Sequence, residues 1–403
     1  MKLPGLIAVA LVITACAGCS QDATDSSGAA AADLILVNGR VYTLDWDEPA
    51  PDGSIMPGAP HDESGWHPDA EAVATRGGEI VFVGSTRDAM KFKGEASRVV
   101  DLAGATVIPG LVDSHAHVFQ LGALLEHISL IDIETEEEVV QLVAERAKSV
   151  PQGEWIIGGG WDEGAWSDRF PDKALLSAAV PNHPVYLRGR HGFAGWVNQM
   201  ALDELGITTS TEAPVGGEIR LDENGNPSGL FLNRAIDLPD DGVAPSHDAR
   251  TRQILRGLNQ MAEDGYVAVH EVGVKSADMR VLEDLEASGR LPLRVYAMLS
   301  LRDEDLIRKW IAKGPDRDSD SMLVTRAVKA YYDAALGSRG ARLLEDYSDM
   351  PGHRGISGSG YGFNQELNAA AMKAGFQIGI HAIGDAGNRE SLDILEGVFK
   401  EDP

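Results

Sequence analysis

The sequence predicts an α/β protein in which a small all-β segment precedes a parallel sheet covered by helices. Three observations carry that reading. From residue 104 onward, short apolar strands alternate with amphipathic helical stretches, the pattern of parallel βα units. Ahead of that point the chain reads as β-rich arms and turn pairs with no helical period. Of the 403 residues, 43% are hydrophobic, which at about 150 residues per domain allows two or three domains with cores of their own.

The first element is an address. Lys2 is followed by an apolar run from Leu3 to Ala15, too short to span a ~30 Å hydrocarbon core but suited to a secretory signal. Ile13-Thr14-Ala15-Cys16 resembles the lipobox of bacterial lipoproteins, so residues 1–19 read as a signal with lipid attachment at Cys16 or, less simply, at Cys19. The alternative is an ordinary signal peptide cut at a small-residue site. Residues 20–32, rich in Ser, Asp and Ala, read as a flexible tether, which puts the folded body outside the cytoplasmic membrane.

Residues 33–103 read as the β-part of a sandwich. A hairpin is expected from Leu34 to Leu44 around Asn38-Gly39, and a second from Ala72 to Val83 around Gly77-Gly78. Between them, roughly 45–70 is a Pro/Gly/Asp-rich exposed loop. From 104 to 403 the strand candidates are 106–113, 266–270, 293–299, 325–332 and 376–381. Helices are marked by Val139, Val140, Leu142 and Val143, by Ile254, Leu258 and Met261, and by Leu392, Leu395, Val398 and Phe399. Residues 151–240 form an excursion far longer than the ~2–6 residues of a usual βα connection, hence an inserted subdomain, with a hairpin around Asn224-Gly225.

Charge and cysteine usage narrow the function classes. With 35 Lys and Arg against 62 Asp and Glu, the net charge is −27 and no basic run interrupts it, so nucleic acid and anionic membrane surfaces are not expected partners. Membrane association is expected only through the lipid. Both cysteines lie within the first 19 residues. A metal in the folded body must therefore use His, carboxylate or modified Lys.

Candidate ligands stand at strand ends. Pro109-Gly110-Leu111-Val112-Asp113-Ser114-His115-Ala116-His117 places two histidines on one face of a strand by period two, where they could share one metal ion or simply be polar strand-end residues. His381 ends another strand and leads into Ala382-Ile383-Gly384-Asp385. C-terminal strand ends are where parallel α/β folds bind ligands and metals. Lys329, Tyr331 and Asp333 share a strand face; a buried ammonium there either pairs with Asp333 or another carboxylate, or has its pKa depressed enough to react with carbon dioxide.

These strings resemble the amidohydrolase superfamily: the run from Pro109 to His117, Lys329 with Asp333 through Ala341, and His381 through Arg389. The nearest branch is the large-insert one that includes N-substituted formamide deformylase, and the resemblance runs from about residue 33 to the end. It implies a TIM-type (β/α)8 metal-dependent hydrolase barrel, of which about five βα units are present, on a small β-sandwich. It also implies His115, His117 and His381 as metal ligands with Lys329 as a carbamate ligand. One or two divalent ions are expected, Zn²⁺ by default with Fe, Mn or Ni as alternatives, and metal-activated water would attack an amide-type carbonyl of a small molecule. Substrate-side positions implied by the insert are Trp161, Arg188 and Trp196, with insert packing as the alternative. His270 and Arg339 follow the second and fourth strands; each could touch substrate, or be satisfied by a neighbour.

Two departures are evident. Where the branch usually has a substrate-side imidazole, this chain has Phe193, in His191-Gly192-Phe193. Family members also continue through three more βα units that carry a further His and the metal-binding general-base Asp. The sequence is thus expected to be an incomplete or truncated form of a longer enzyme, its first and fifth strands left as open edges and its general base outside this chain. A binding lipoprotein, an inactive hydrolase, or an ester or lactone hydrolase of the same superfamily are the alternatives to carbon–nitrogen hydrolysis.

Overall fold

The computed structural model describes residues 30–47, 51–56, 58–162, 164, 166, 170–318 and 320–401. The signal segment, both cysteines and most of the tether lie outside the described residues. No described helix is long and apolar enough to cross a membrane. The chain divides into two compact units, Met1–Pro109 and Gly110–Pro403.

In the first unit a four-stranded sheet runs in the order Glu79–Gly84, Ala72–Arg76, Ala32–Val37, Lys93–Asp101. Ile35, Val37, Ala72 and Ala74 are buried against Phe82, Phe92 and Val99. The Gly77-Gly78 hairpin forms as expected, with both glycines at positive φ (58° and 85°), the backbone that a two-residue type I′ turn demands. The Asn38-Gly39 hairpin does not form. Asn38 takes φ 56° but Gly39 does not follow it, so the chain runs on instead of reversing, and Arg40–Val41 pairs in parallel with Thr106–Val107. The expected 45–70 loop is largely irregular but carries a small hairpin, His61–Asp62 with Gly65–Trp66.

The second unit contains the parallel sheet. Its five strands, Leu111–Ala116, Tyr266–Val274, Arg294–Ser300, Leu323–Tyr331 and Gln377–His381, lie side by side in chain order, every neighbouring pair parallel. This is a curled half-barrel of the TIM type. Helices cover one face: Leu258 and Met261 of His247–Glu263, Leu282 and Leu285 of Ser276–Ala287, Ile307 and Trp310 of Glu304–Lys313, and Leu367 and Ala371 of Gln365–Lys373 share one apolar core with Val269, Val295, Leu299 and Val328. Their starts are chemically marked, since Ser246, Asp303 and Asn364 accept the N–H groups of Ala249, Leu306 and Leu367. The final described helix, Asp385–Glu401, matches the apolar spacing read from sequence.

The first strand begins later than the sequence suggested, at Leu111, and ends at Ala116. His117 therefore sits at the mouth of the helix Val118–Leu124. That helix lies unusually close to His247–Glu263: a Cβ on Gly122 would come 1.7 Å from the Gln253 carbonyl oxygen, and one on Gly257 2.3 Å from that of Val118. Only glycine permits such an approach.

The excursion, joined by Ile128–Ser129 from ahead of residue 151, folds as a six-stranded mixed sheet in the order Ile128–Ser129, Ile156–Trp161, Val185–Gly189, Ala194–Val197, Pro227–Asn233, Gly217–Leu221. The expected hairpin around Asn224-Gly225 joins the last two of these, with Gly225 at φ 80°.

Candidate active site

The end of the first barrel strand is fixed by two carboxylates. Asp113 accepts the backbone N–H of His115 at 2.9 Å. Glu271, from the second strand and only 8% exposed, accepts the N–H of Val118 at 2.5 Å, capping the helix that starts directly after His117. The two imidazoles are thereby brought together, ring centroids 5.5 Å apart and nearly perpendicular. Burial pushes the Glu271 carboxyl up to about 8, against the pull of the Val118 N–H.

On the fourth strand Lys329 is 6% exposed, and no carboxylate among the described residues lies within ion-pair distance of it. Asp333 is not its partner. That carboxylate, fully buried, accepts three backbone N–H groups at 2.9 Å, from Arg342, Ile383 and Gly384, and stitches the loops after the fourth and fifth strands together. With nothing to compensate it, burial lowers the Lys329 ammonium to about 8. The pairing with Asp333, one of the alternatives read from sequence, does not form.

Lys329 lies beside Gly379 and Tyr331 beside His381 in the register of the fourth and fifth strands. The Tyr331 and His381 rings stand 5.7 Å apart. All three candidate histidines are held below the ordinary imidazole range, His117 at about 4. Burial is the main cause for each, and the Lys329 charge adds to it in every case.

The insert supplies three further residues. Arg188 reaches close enough to lower His117. Its guanidinium is already held, by Asp240 at 2.7 Å and the Gly192 carbonyl at 3.0 Å, leaving only a buried Nε without a partner. Tyr186 donates to the same Asp240 at 2.7 Å. Phe193 lies against His381, centroids 5.2 Å apart, with His191 stacked behind it at 6.2 Å.

The remaining candidates have local duties. Trp161 and Trp196 are fully buried in the insert with Trp166, and their indole N–H groups donate to the carbonyls of Leu187 and Asp172. In this structure both pack inside the insert. Arg339, at φ 54°, spends its guanidinium on Asp349 and the Gly337 carbonyl within its own loop. His270 packs on Tyr296 of the adjacent strand, centroids 4.6 Å apart.

Neutral imidazole nitrogens beside an amine that loses its proton near pH 8 suit a borderline metal by donor type. Among the described residues, however, no three His, Cys, Asp or Glu side chains stand close enough to enclose an ion. The donor types suit a metal, with the His115 and His117 rings 5.5 Å apart and His381 beside Tyr331 on the fifth strand.

The fold is the class of half-barrel seen in solved structures of metal-dependent hydrolases. An uncharacterized metal-dependent hydrolase from Pyrococcus horikoshii OT3 matches with TM-score 0.64 at 23% identity, over 90% of this chain and 68% of that one. A second from Pyrococcus furiosus matches with TM-score 0.62 at 24% identity, over 91% and 70%. Residues 98–403 match the model of the amidohydrolase family, and the chain belongs to that family. Among its relatives are the YtcJ protein of Bacillus subtilis (strain 168), named as an amidohydrolase, at 30% identity over 81% of this chain and 62% of its own length, and N-substituted formamide deformylase of Arthrobacter pascens, at 25% over 92% and 66%. Protein LONG AFTER FAR-RED 3 of Arabidopsis thaliana is 28% identical over 91% and 61%. The chain spans about three fifths to two thirds of the length of these curated relatives.

Proposed function

We propose that the site serves hydrolysis of non-peptide carbon–nitrogen bonds, in small molecules with an amide or formamide carbonyl. His115, His117 and His381 would hold one divalent ion, and Lys329 as a carbamate would allow two; zinc is the first choice because neutral imidazole suits it. When bound, such a metal supplies an activated water and polarises the carbonyl. Burial keeps the imidazole lone pairs free of protons. Phe193 shields one side of His381 from water, and Arg188, oriented by Asp240, presents a cation near His117.

The observation that carries this reading is Lys329, buried without a carboxylate and titrating at about 8. An unpaired buried ammonium is strongly unfavourable. The neutral amine it yields is the form that adds carbon dioxide, giving a carbamate oxygen ligand and releasing a proton. The relationship to N-substituted formamide deformylase supports the choice of carbonyl. The same reading puts the folded body outside the cytoplasmic membrane, held by lipid at Cys16 or Cys19.

Metal analysis of the purified chain, paired with a hydrolysis panel of formamides, N-acyl amines, esters and lactones, tests it. Bound metal with cleavage of the nitrogen compounds is expected, along with a carbamate carbon signal after exposure to labelled carbon dioxide. Lys329→Met should remove that signal and lower activity by about 10- to 100-fold. Turnover confined to esters or lactones, or metal binding without turnover of any compound, rejects carbon–nitrogen hydrolysis.

A further inference from the structure

Arg302 follows the third barrel strand and is not used in the site described above. Its guanidinium carbon lies 4.4 Å from the centroid of the Tyr331 ring and 5.1 Å from that of Tyr361. No carboxylate among the described residues pairs with it. Its Nη2 is buried without a hydrogen-bond partner and lies near the Tyr361 ring. A guanidinium held between aromatic rings, with a buried donor unspent, is prearranged for an anion. Tyr331, against which it packs, also faces His381 and Lys329 from its other contacts.

This guanidinium lines a cavity of ≈ 580 Å³ open to the insert, together with Lys275 and Arg234. Arg234 is held by Asp237. Lys275, exposed, has no ion pair among the described residues. On the acidic side, Asp303 is occupied by the N–H groups of Ser276 and Leu306, and Glu304 by Arg308 and Asn364. Asp241 and Asp305 complete the charged lining. The two cations left over are therefore Arg302 and Lys275.

We propose that Arg302 and Lys275 form a carboxylate subsite, so that the substrate carries an acid group that reaches past Tyr331 while its amide lies near Lys329. This rests on the hydrolase reading above and narrows its substrate class. A planar carboxylate matches the guanidinium fork. A phosphate dianion does not suit a cavity that five carboxylates line as well, because their repulsion grows with its charge.

The test is calorimetric titration of the purified chain with N-acetylglycine and with its uncharged counterpart N-acetylglycinamide. The acid is expected to bind about tenfold more tightly. Arg302→Met should abolish the difference. Lys275→Met, at an exposed position that does not endanger folding, should weaken the acid several-fold and leave the amide unchanged. No binding of either compound, equal binding of the two, or a preference that survives in Lys275→Met and in folded Arg302→Met overturns the proposal. Displacement of N-acetylglycine by equimolar inorganic phosphate also overturns it, marking a general anion site. Hydrolysis is scored separately. Cleavage of N-acetylglycinamide with no acid preference removes the subsite and keeps the hydrolase, whereas acid preference without cleavage of either compound keeps the subsite and removes the hydrolase.

Discussion

A buried ammonium and a buried carboxylate four residues apart on one strand end do not pair in this protein, and the reason is competition for the carboxylate. Asp333 is saturated by three backbone N–H groups at 2.9 Å, which compensate its charge without help from a cation. Lys329 is left to shed its proton. Glu271 presents the opposite case, a carboxyl whose bonds to the backbone N–H groups of Val118 and Phe119 do not repay burial, so its pKa rises from 4.5 to about 8. The sign of the consequence follows from the protonated form being favoured by folding. Stability from this group is complete below pH 4.5 and lost as pH rises through 8. Urea unfolding of the wild type should weaken over that window relative to Glu271→Gln, by at most about 1.4 kcal/mol per pH unit. Parallel pH profiles for the two proteins would reject the assignment.

At the scale of elements, the insert explains why resemblance in sequence and role in structure diverge. Trp161 and Trp196 lie in strands of the six-stranded sheet and meet Trp166 at 5.5 and 6.2 Å. Their burial makes them the core of that sheet. Trp196→Ala is expected to cost ~3–5 kcal/mol in stability, read by denaturant unfolding, while leaving the relative rates on different substrates unaltered; a change in selectivity without loss of stability would return Trp196 to the substrate side. The Asn38-Gly39 pair teaches a related lesson. The residues permit a tight turn, but pairing of Arg40–Val41 with Thr106–Val107 is a long-range choice that local propensity does not contain. The barrel helices are more legible, because apolar residues such as Ile254, Leu258 and Met261 repeat on one face whatever they pack against.

For the molecule as a whole, the net charge of −27 carries no basic run, and we propose that the N-terminal segment acts as a secretion signal with a lipid-attachment cysteine. Expression in a bacterial host with labelled fatty acid should mark the full chain and lose the label in Cys16→Ser; retention of label there would move the attachment to Cys19. The sequence alone determines the alternation of strands and helices, the absence of thiolate ligands beyond residue 19, and the placing of His115, His117, Lys329 and His381 at strand ends, because these are properties of spacing along one chain. Partnership is decided only in three dimensions. Arg188 finds Asp240 across 52 residues, Arg339 turns to Asp349, Arg302 is left between two tyrosines, and Lys329 is left without a carboxylate. A charged group's role depends on which opposite charge, ring or N–H the packing brings within a few ångströms, and that distance is set by the tertiary fold.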